Sequence, residues 1–409
     1  MDQVRVRYFG FGALAAVLVT ITAGVLFVHT YRSNGLCLRF EPASLNRGQS
    51  VQRAGPWGMI EATELPLGSP PEVIADREER LRPAQWLFED ASEKQVARFL
   101  RACALTRFQR RALFSTANWN VVSNGCVIVP PAPLIWFLNG TSRQQIYSVL
   151  ATSRSNYAQR FPFRFSPEEF EDVLATSGLE AAHLQSIRRL AYTNAGSVCF
   201  ADLEAMQRTL APREFDQLVE ALYRVPAYAL RLRVMPKCDT DALVKYWGKG
   251  GREKRVAPLL RSLARVPGGG SINISYFLPP FVRLRLYTFP ASWDDPAAVK
   301  QDCVFTSLNF FNATPDTNYL DPSYTQKVLE TDYTPVNGRP EFGDVAYLLD
   351  ANGAGLHMCV LIADDFVFTK NGINPAMPWV IMKLADVLAT YYPPDQSGKV
   401  LFLRRKDLS

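Results

Sequence analysis

The last third of this chain carries two apolar runs split by a tight turn, and that pattern restricts what it can build. Asp344 to Leu349 and His357 to Ile362 read as strands, joined by a turn at Asp350-Ala351-Asn352-Gly353. Ahead of them, Asp302-Cys303-Val304-Phe305-Thr306-Ser307-Leu308-Asn309-Phe310-Phe311 reads as a buried helix with the cysteine in its first turn. A thiol there meets the positive end of the helix dipole and unpaired backbone N–H groups, both of which stabilise a thiolate. A helix laid on that sheet brings Cys303 towards His357, the minimum machinery of a cysteine nucleophile with its base.

The chain has three histidines. His29 ends an apolar span and His183 sits in a charged helix, Gly178 to Leu190, which leaves His357 as the imidazole base. A third group that orients the ring is expected on the strand Asp365-Phe366-Val367-Phe368-Thr369-Lys370-Asn371. Side chains alternate along a strand, so Thr369 and Asn371 share a face and either can serve. Asn371 precedes glycine, a pairing that often marks a turn. Cys359 lies two residues from His357 and projects from the same face, where a small side chain suits a crossing helix. Cys303, His357 and Cys359 as metal ligands lack a fourth, and no paired CxxC exists, so neither metal nor cofactor is expected.

The order and spacing of these segments resemble the NlpC-type cell-wall peptidases. In that papain-like family an Asp-Cys dipeptide opens a helix, and a Gly-Asp-hydrophobic strand, here Gly343-Asp344-Val345, precedes the strand bearing the histidine. The resemblance covers roughly the last third of the chain. It implies an α+β papain-like domain over 271–409, with Cys303 as nucleophile, His357 as base, and Thr369 or Asn371 as orienter. It also implies peptide, with cell-wall peptide as the class, as the substrate of an amide hydrolysis. Two other functions compete: a non-catalytic anchored scaffold with a papain-like domain that binds wall or partner proteins, and a thiol acyltransferase acting on lipid. In lipid-acting relatives the histidine generally comes first, and here the cysteine does.

Tyr8 to Val28 run without a charge, about the length that crosses a bilayer core as a helix. Arg5 and Arg7 precede the span and Arg32 follows it. The expected topology is therefore a cytoplasmic tail over 1–7, a retained anchor over 8–28 and an extracytoplasmic remainder. The single-pass protein would thus have the membrane as a partner. Residues 29–83, rich in Pro, Gly and polar side chains, read as a tether with some extended structure.

Residues 84–270 read as a mainly helical domain. Ser166-Pro167-Glu168-Glu169 is a capping box with proline at the first helical position, and amphipathic stretches run from Glu93 to Arg111, Ala201 to Leu210 and Pro212 to Tyr223. Beyond Gly268-Gly269-Gly270, Ile272 to Leu278 and Val282 to Tyr287 look strand-like. At 409 residues and 48% hydrophobic content the chain can bury more than one core. Its net charge of +6 is spread thinly over helix faces and lacks any nucleic-acid recognition signature, while favouring anionic surfaces. Seven widely spaced cysteines fit neither a dense disulfide framework nor zinc spacing.

Overall fold

The computed structural model describes residues 51–68, 84–153, 155–160, 162–194, 196–290, 301–373, 377–392 and 398–408. The expected tail and membrane anchor, residues 1–28, lie outside the described residues. Among the described residues no helix is long and apolar enough to cross a membrane. The chain is α+β and divides into two compact units, Met1–Ser69 with Val225–Ser409, and Pro70–Arg224.

This division corrects two expected boundaries. The stretch 51–68, read as tether, forms a hairpin of β1 (Val51–Gly55) and β2 (Gly58–Glu64). β2 pairs with β3 (Tyr228–Val234), which pairs with β4 (Gly270–Asn273), in a four-stranded antiparallel sheet. Residues 225–270 therefore belong with the C-terminal region rather than with a helical middle domain. The cause is a matched period-two pattern: Ile60 and Ala62 of β2 and Leu230, Leu232 and Val234 of β3 are buried in one core.

The same unit contains helices α1 (Thr240–Trp247), α2 (Glu253–Ala264), α3 (Pro280–Arg285), α4 (Cys303–Leu308), α5 (Pro322–Asp332) and α6 (Leu384–Tyr391). It also contains strands β5 (Tyr333–Pro335), β6 (Val345–Asp350), β7 (Gly355–Ala363), β8 (Phe366–Lys370), β9 (Trp379–Lys383) and β10 (Gly398–Arg405). These form an antiparallel sheet in the order β5-β10-β6-β7-β8-β9. The expected hairpin is β6 and β7. Val282 to Tyr287, expected as strand, is mostly the helix α3: Pro280 stands at its first turn, where the missing N–H costs nothing, and Phe281 and Val282 are buried. Ile272 to Leu278 ends its strand at Asn273 and turns into a 3-10 helix, Ile274–Phe277, because the Asn273 side chain caps Ser275 N–H.

Both faces of the six-stranded sheet are covered, so its central strands are apolar throughout. Tyr347, Met358, Val360, Ile362, Phe366 and Phe368 face one core, shared with Val304, Phe305 and Leu308 of α4. Leu348, Cys359, Leu361, Val367, Val380 and Met382 face the other, shared with Leu384 and Val387 of α6.

The unit Pro70–Arg224 mixes helices with two three-stranded antiparallel sheets, one of Trp86–Glu89, Gly125–Ile128 and Trp119–Val122, the other of Phe163–Phe165, Ser197–Phe200 and Tyr192–Asn194. The capping box at Ser166 forms as its sequence implies, Ser166 and Glu169 each bonding the other's backbone N–H. The amphipathic stretch from Glu93 to Arg111 is two helices, Glu93–Ala102 and Arg107–Leu113, because Thr106 and Gln109 form a second capping box. A buried ionic cluster holds the unit together: Arg143 Nε donates to Asp202 at 2.8 Å, the Tyr147 hydroxyl donates to the same carboxylate at 2.5 Å, and Arg143 also binds the carbonyls of Leu138 and Ile135. Each carboxylate oxygen of Asp202 accepts a hydrogen bond and each guanidinium nitrogen of Arg143 donates one, so the charge pair is tolerable in the interior.

Candidate active site

Cys303 opens α4, and Asp302 is its N-cap. The Asp302 carboxylate accepts the N–H groups of Val304 and Phe305, each at 2.9 Å. The helix ends at Leu308, sooner than its apolar sequence implies. Asn309 turns back there, its amide donating to Phe305 O at 3.1 Å and its carbonyl accepting Asp316 N–H at 2.7 Å.

This arrangement overturns the expectation of an activated thiolate at a bare helix start. The donors that would have solvated it are taken by Asp302, whose negative charge sits beside the sulfur. The residue is half-buried, yet burial is the main influence on its thiol, followed by Asp302; together they push the pKa up to about 12. Two neighbours act the other way: the Met358 N–H donates to the sulfur, and the Lys370 ammonium favours its ionised form. The thiol thus rests against the backbone of the residue that follows His357.

His357 lies on β7 opposite Leu348 of β6 and is 1% exposed. Its Nε2 is 2.8 Å from Thr369 Oγ1, and the Thr369 hydroxyl in turn donates to Asn371 Oδ1 at 3.4 Å. A hydroxyl that donates to Asn371 accepts from the imidazole, which puts the ring proton on Nε2 and leaves a lone pair on Nδ1. Nδ1 is buried and has no hydrogen-bond partner. No hydrogen bond therefore joins Cys303 to His357 in this resting arrangement. Tyr391 of α6 stacks on the imidazole at 4.2 Å between ring centroids and 16° between planes. Burial lowers the His357 pKa to about 3, so at neutral pH both thiol and imidazole are uncharged.

His357, Thr369 and Asn371 thus lie in series, joined by these two contacts. Thr369 is fully buried near the end of β8, and Asn371 stands just past that strand with its amide 3.5 Å from Met382 Sδ. Cys359, expected under the crossing helix, is instead in the core shared with α6, because α4 packs on the opposite side of the sheet; His357, two residues along β7 and stacked on Tyr391 of α6, is on that side too, so laying α4 on the sheet does not bring Cys303 and His357 face to face as expected. Among the described residues no group of three or more His, Cys, Asp and Glu side chains could hold a metal ion. Cys103, Cys126, Cys199, Cys238, Cys303 and Cys359 are all free thiols.

Sequence reasoning passed over Lys370, Trp379 and Tyr391. Lys370 shares parity with Phe366 and Phe368, so it falls on an apolar face and is fully buried. A lysine in step with two phenylalanines on a strand was a readable signal. Its ammonium donates to Gly372 O at 2.6 Å, and burial lowers its pKa to about 8. Trp379, paired with Lys370 in the ladder, donates its indole N–H to Thr306 of α4 at 3.0 Å. No family model, curated protein or solved structure matches this chain.

Proposed function

We propose that the chain is a membrane-anchored, exported thiol hydrolase that cleaves an amide bond, with peptide of the cell wall as its substrate class, on a papain-like C-terminal domain. The observation that carries this reading is the state of His357. One ring nitrogen is tied to Thr369 at 2.8 Å while the other is a buried lone pair without a partner. A core histidine kept only for packing gains nothing from an unpaired buried nitrogen, which costs about 1–3 kcal/mol. A general base needs that lone pair.

In the reaction, Nδ1 takes the Cys303 proton as the sulfur attacks the substrate carbonyl, forming a C–S bond and an oxyanion. The imidazolium returns its proton to the departing amine as the C–N bond breaks, leaving a thioester. Water, deprotonated by the same nitrogen, releases the acid and restores the thiol. With thiol and imidazole both neutral at rest, proton transfer accompanies attack rather than preceding it. Catalytic hydrogen bonds commonly tighten only when substrate binds.

The same neutrality favours a second reading, a non-catalytic domain in which these residues are core. Labelling the purified protein with an electrophilic amide-mimicking probe separates the two. The hydrolase reading expects label on Cys303 alone, lost in Cys303→Ala and at least tenfold slower in His357→Ala, from the loss of an activating base. Label distributed by exposure among the cysteines, and indifferent to His357, is the result that favours the scaffold.

A further inference from the structure

A pocket of about 190 Å³ opens beside α2 and α3, and Arg252, Arg255 and Arg283 line it together with Leu259 and Tyr276. No carboxylate is among its lining residues. Arg252 stands just before α2 and is 8% exposed. Its Nε donates to Lys249 O at 2.9 Å, one terminal nitrogen donates to Trp247 O at 2.8 Å, and the other donates to Phe277 O of the 3-10 helix. The Phe342 and Phe311 rings lie 5.3 and 5.8 Å from its guanidinium carbon. Three of its five N–H groups are thus spent on carbonyls, none of which carries a formal charge.

This buried charge has no paired anion. Burial lowers the Arg252 pKa to about 10; Glu253, which is exposed, acts the other way, and the Arg255 charge adds to the depression. Arg255 and Arg283 are exposed, and among the described residues neither forms an ion pair. Three guanidinium groups lining one pocket repel one another until an anion joins them. A phosphate group answers that need well, because its unesterified oxygens can accept from more than one guanidinium fork at once.

The mouth of the pocket narrows the source of the phosphate. Leu259 and Tyr276 are 38% and 61% exposed there, and Leu284, 72% exposed, follows Arg283 on α3. Leucine and tyrosine beside arginine suit the boundary between lipid headgroups and acyl chains, whereas a soluble phosphate gains nothing from exposed leucine. We propose that the Arg252-Arg255-Arg283 pocket binds the phosphate of an anionic phospholipid headgroup, so that this face of the C-terminal unit rests on a lipid surface. The inference is independent of the chemistry of Cys303 and of whether residues 8–28 span a bilayer.

Arginine footprinting tests it on the full chain. The protein is reconstituted into vesicles of phosphatidylcholine alone or of three parts phosphatidylcholine to one part phosphatidylglycerol, then modified with phenylglyoxal, an uncharged arginine reagent, and analysed by mass spectrometry. Since the chain is vesicle-bound in both cases, an apolar anchor cannot produce a difference. Arg255 and Arg283 are expected to react about fivefold or more slowly in the anionic vesicles, with the protection relieved by high salt and with Arg261, on α2 but outside the pocket, much less affected. Leu259→Glu sets an acid at the exposed mouth and should abolish the difference between the two vesicles; protection that persists in this variant places the anion elsewhere and overturns the pocket. Equal rates in both vesicles overturn the proposal with no variant needed. Equal protection by soluble glycerol phosphate in the neutral vesicles overturns the lipid assignment.

Discussion

At the scale of residues, the chain His357, Thr369, Asn371 makes an asymmetric prediction. Thr369→Val keeps shape but removes the acceptor for Nε2–H, so a second buried nitrogen loses its partner; the expected cost is about 1–3 kcal/mol of stability and a fall in Cys303 reactivity of roughly tenfold. Asn371→Ala lengthens no direct contact to the ring and should cost less on both counts. Urea unfolding and probe kinetics on the two variants check this, and an equal or larger loss in Asn371→Ala would refute the serial order. His357 also ties stability to acid. Its folded pKa of about 3 lies below its unfolded value near 6.5, so the unfolded chain binds the proton more readily. The stability that His357 contributes is intact above pH 6.5 and is lost as pH falls towards 3, at up to about 1.4 kcal/mol per pH unit. His357→Gln should flatten the urea-midpoint profile over that window; an unchanged acid slope would mean that the imidazole is protonated in the folded chain.

Elements are held to this geometry by the Gly343-Asp344 junction at the start of β6. Gly343 has φ +88°, and a Cβ there would lie 2.3 Å from Phe311 Cζ. Asp344 is 1% exposed, accepts the Glu341 N–H at 2.7 Å, and takes a bidentate pair from Arg404 of β10 at 2.8 and 2.6 Å. Gly343→Ala combines an unfavourable backbone conformation with overpacking of Phe311, for an expected loss of roughly 3 kcal/mol. Because the junction sets the register of β6 on β7, Cys303 should also lose its selective reactivity. Differential scanning calorimetry with probe labelling checks both; wild-type stability in Gly343→Ala would show that the junction can rearrange freely.

Over the whole molecule, the most consequential contact in sequence distance is the hairpin 51–64 completing the sheet of β3 and β4. Trp57 and Ile60 are 2% and 0% exposed in the same core as α4, and each is worth about 1.5–3 kcal/mol of burial. A fragment of residues 225–409 lacks both and exposes the β3 edge, so it should aggregate or stay unfolded. The same fragment joined through a flexible linker to residues 51–69 should be soluble and cooperative in its melting. Gel filtration and circular dichroism decide, and a well-folded 225–409 fragment would count against this account of the core.

Local chemistry sufficed for much of this. Period-two apolar runs and Asp350-Ala351-Asn352-Gly353 determined the hairpin of β6 and β7, and the Ser166 capping box determined a helix start, because each depends on neighbours within a few residues. What lay between distant segments did not show. The hairpin 51–64 looked like tether because a short strand pair has no recognisable partner until β3 arrives beside it, some 165 residues later. The thiol at a helix start looked activated because the dipole is local, whereas its burial and the Asp302 carboxylate that oppose the dipole are set by packing. Which side of the sheet α4 covers, and hence where Cys359, Lys370 and Tyr391 fall, was decided only by tertiary structure: a strand with both faces apolar encodes alternation but not which face meets which helix.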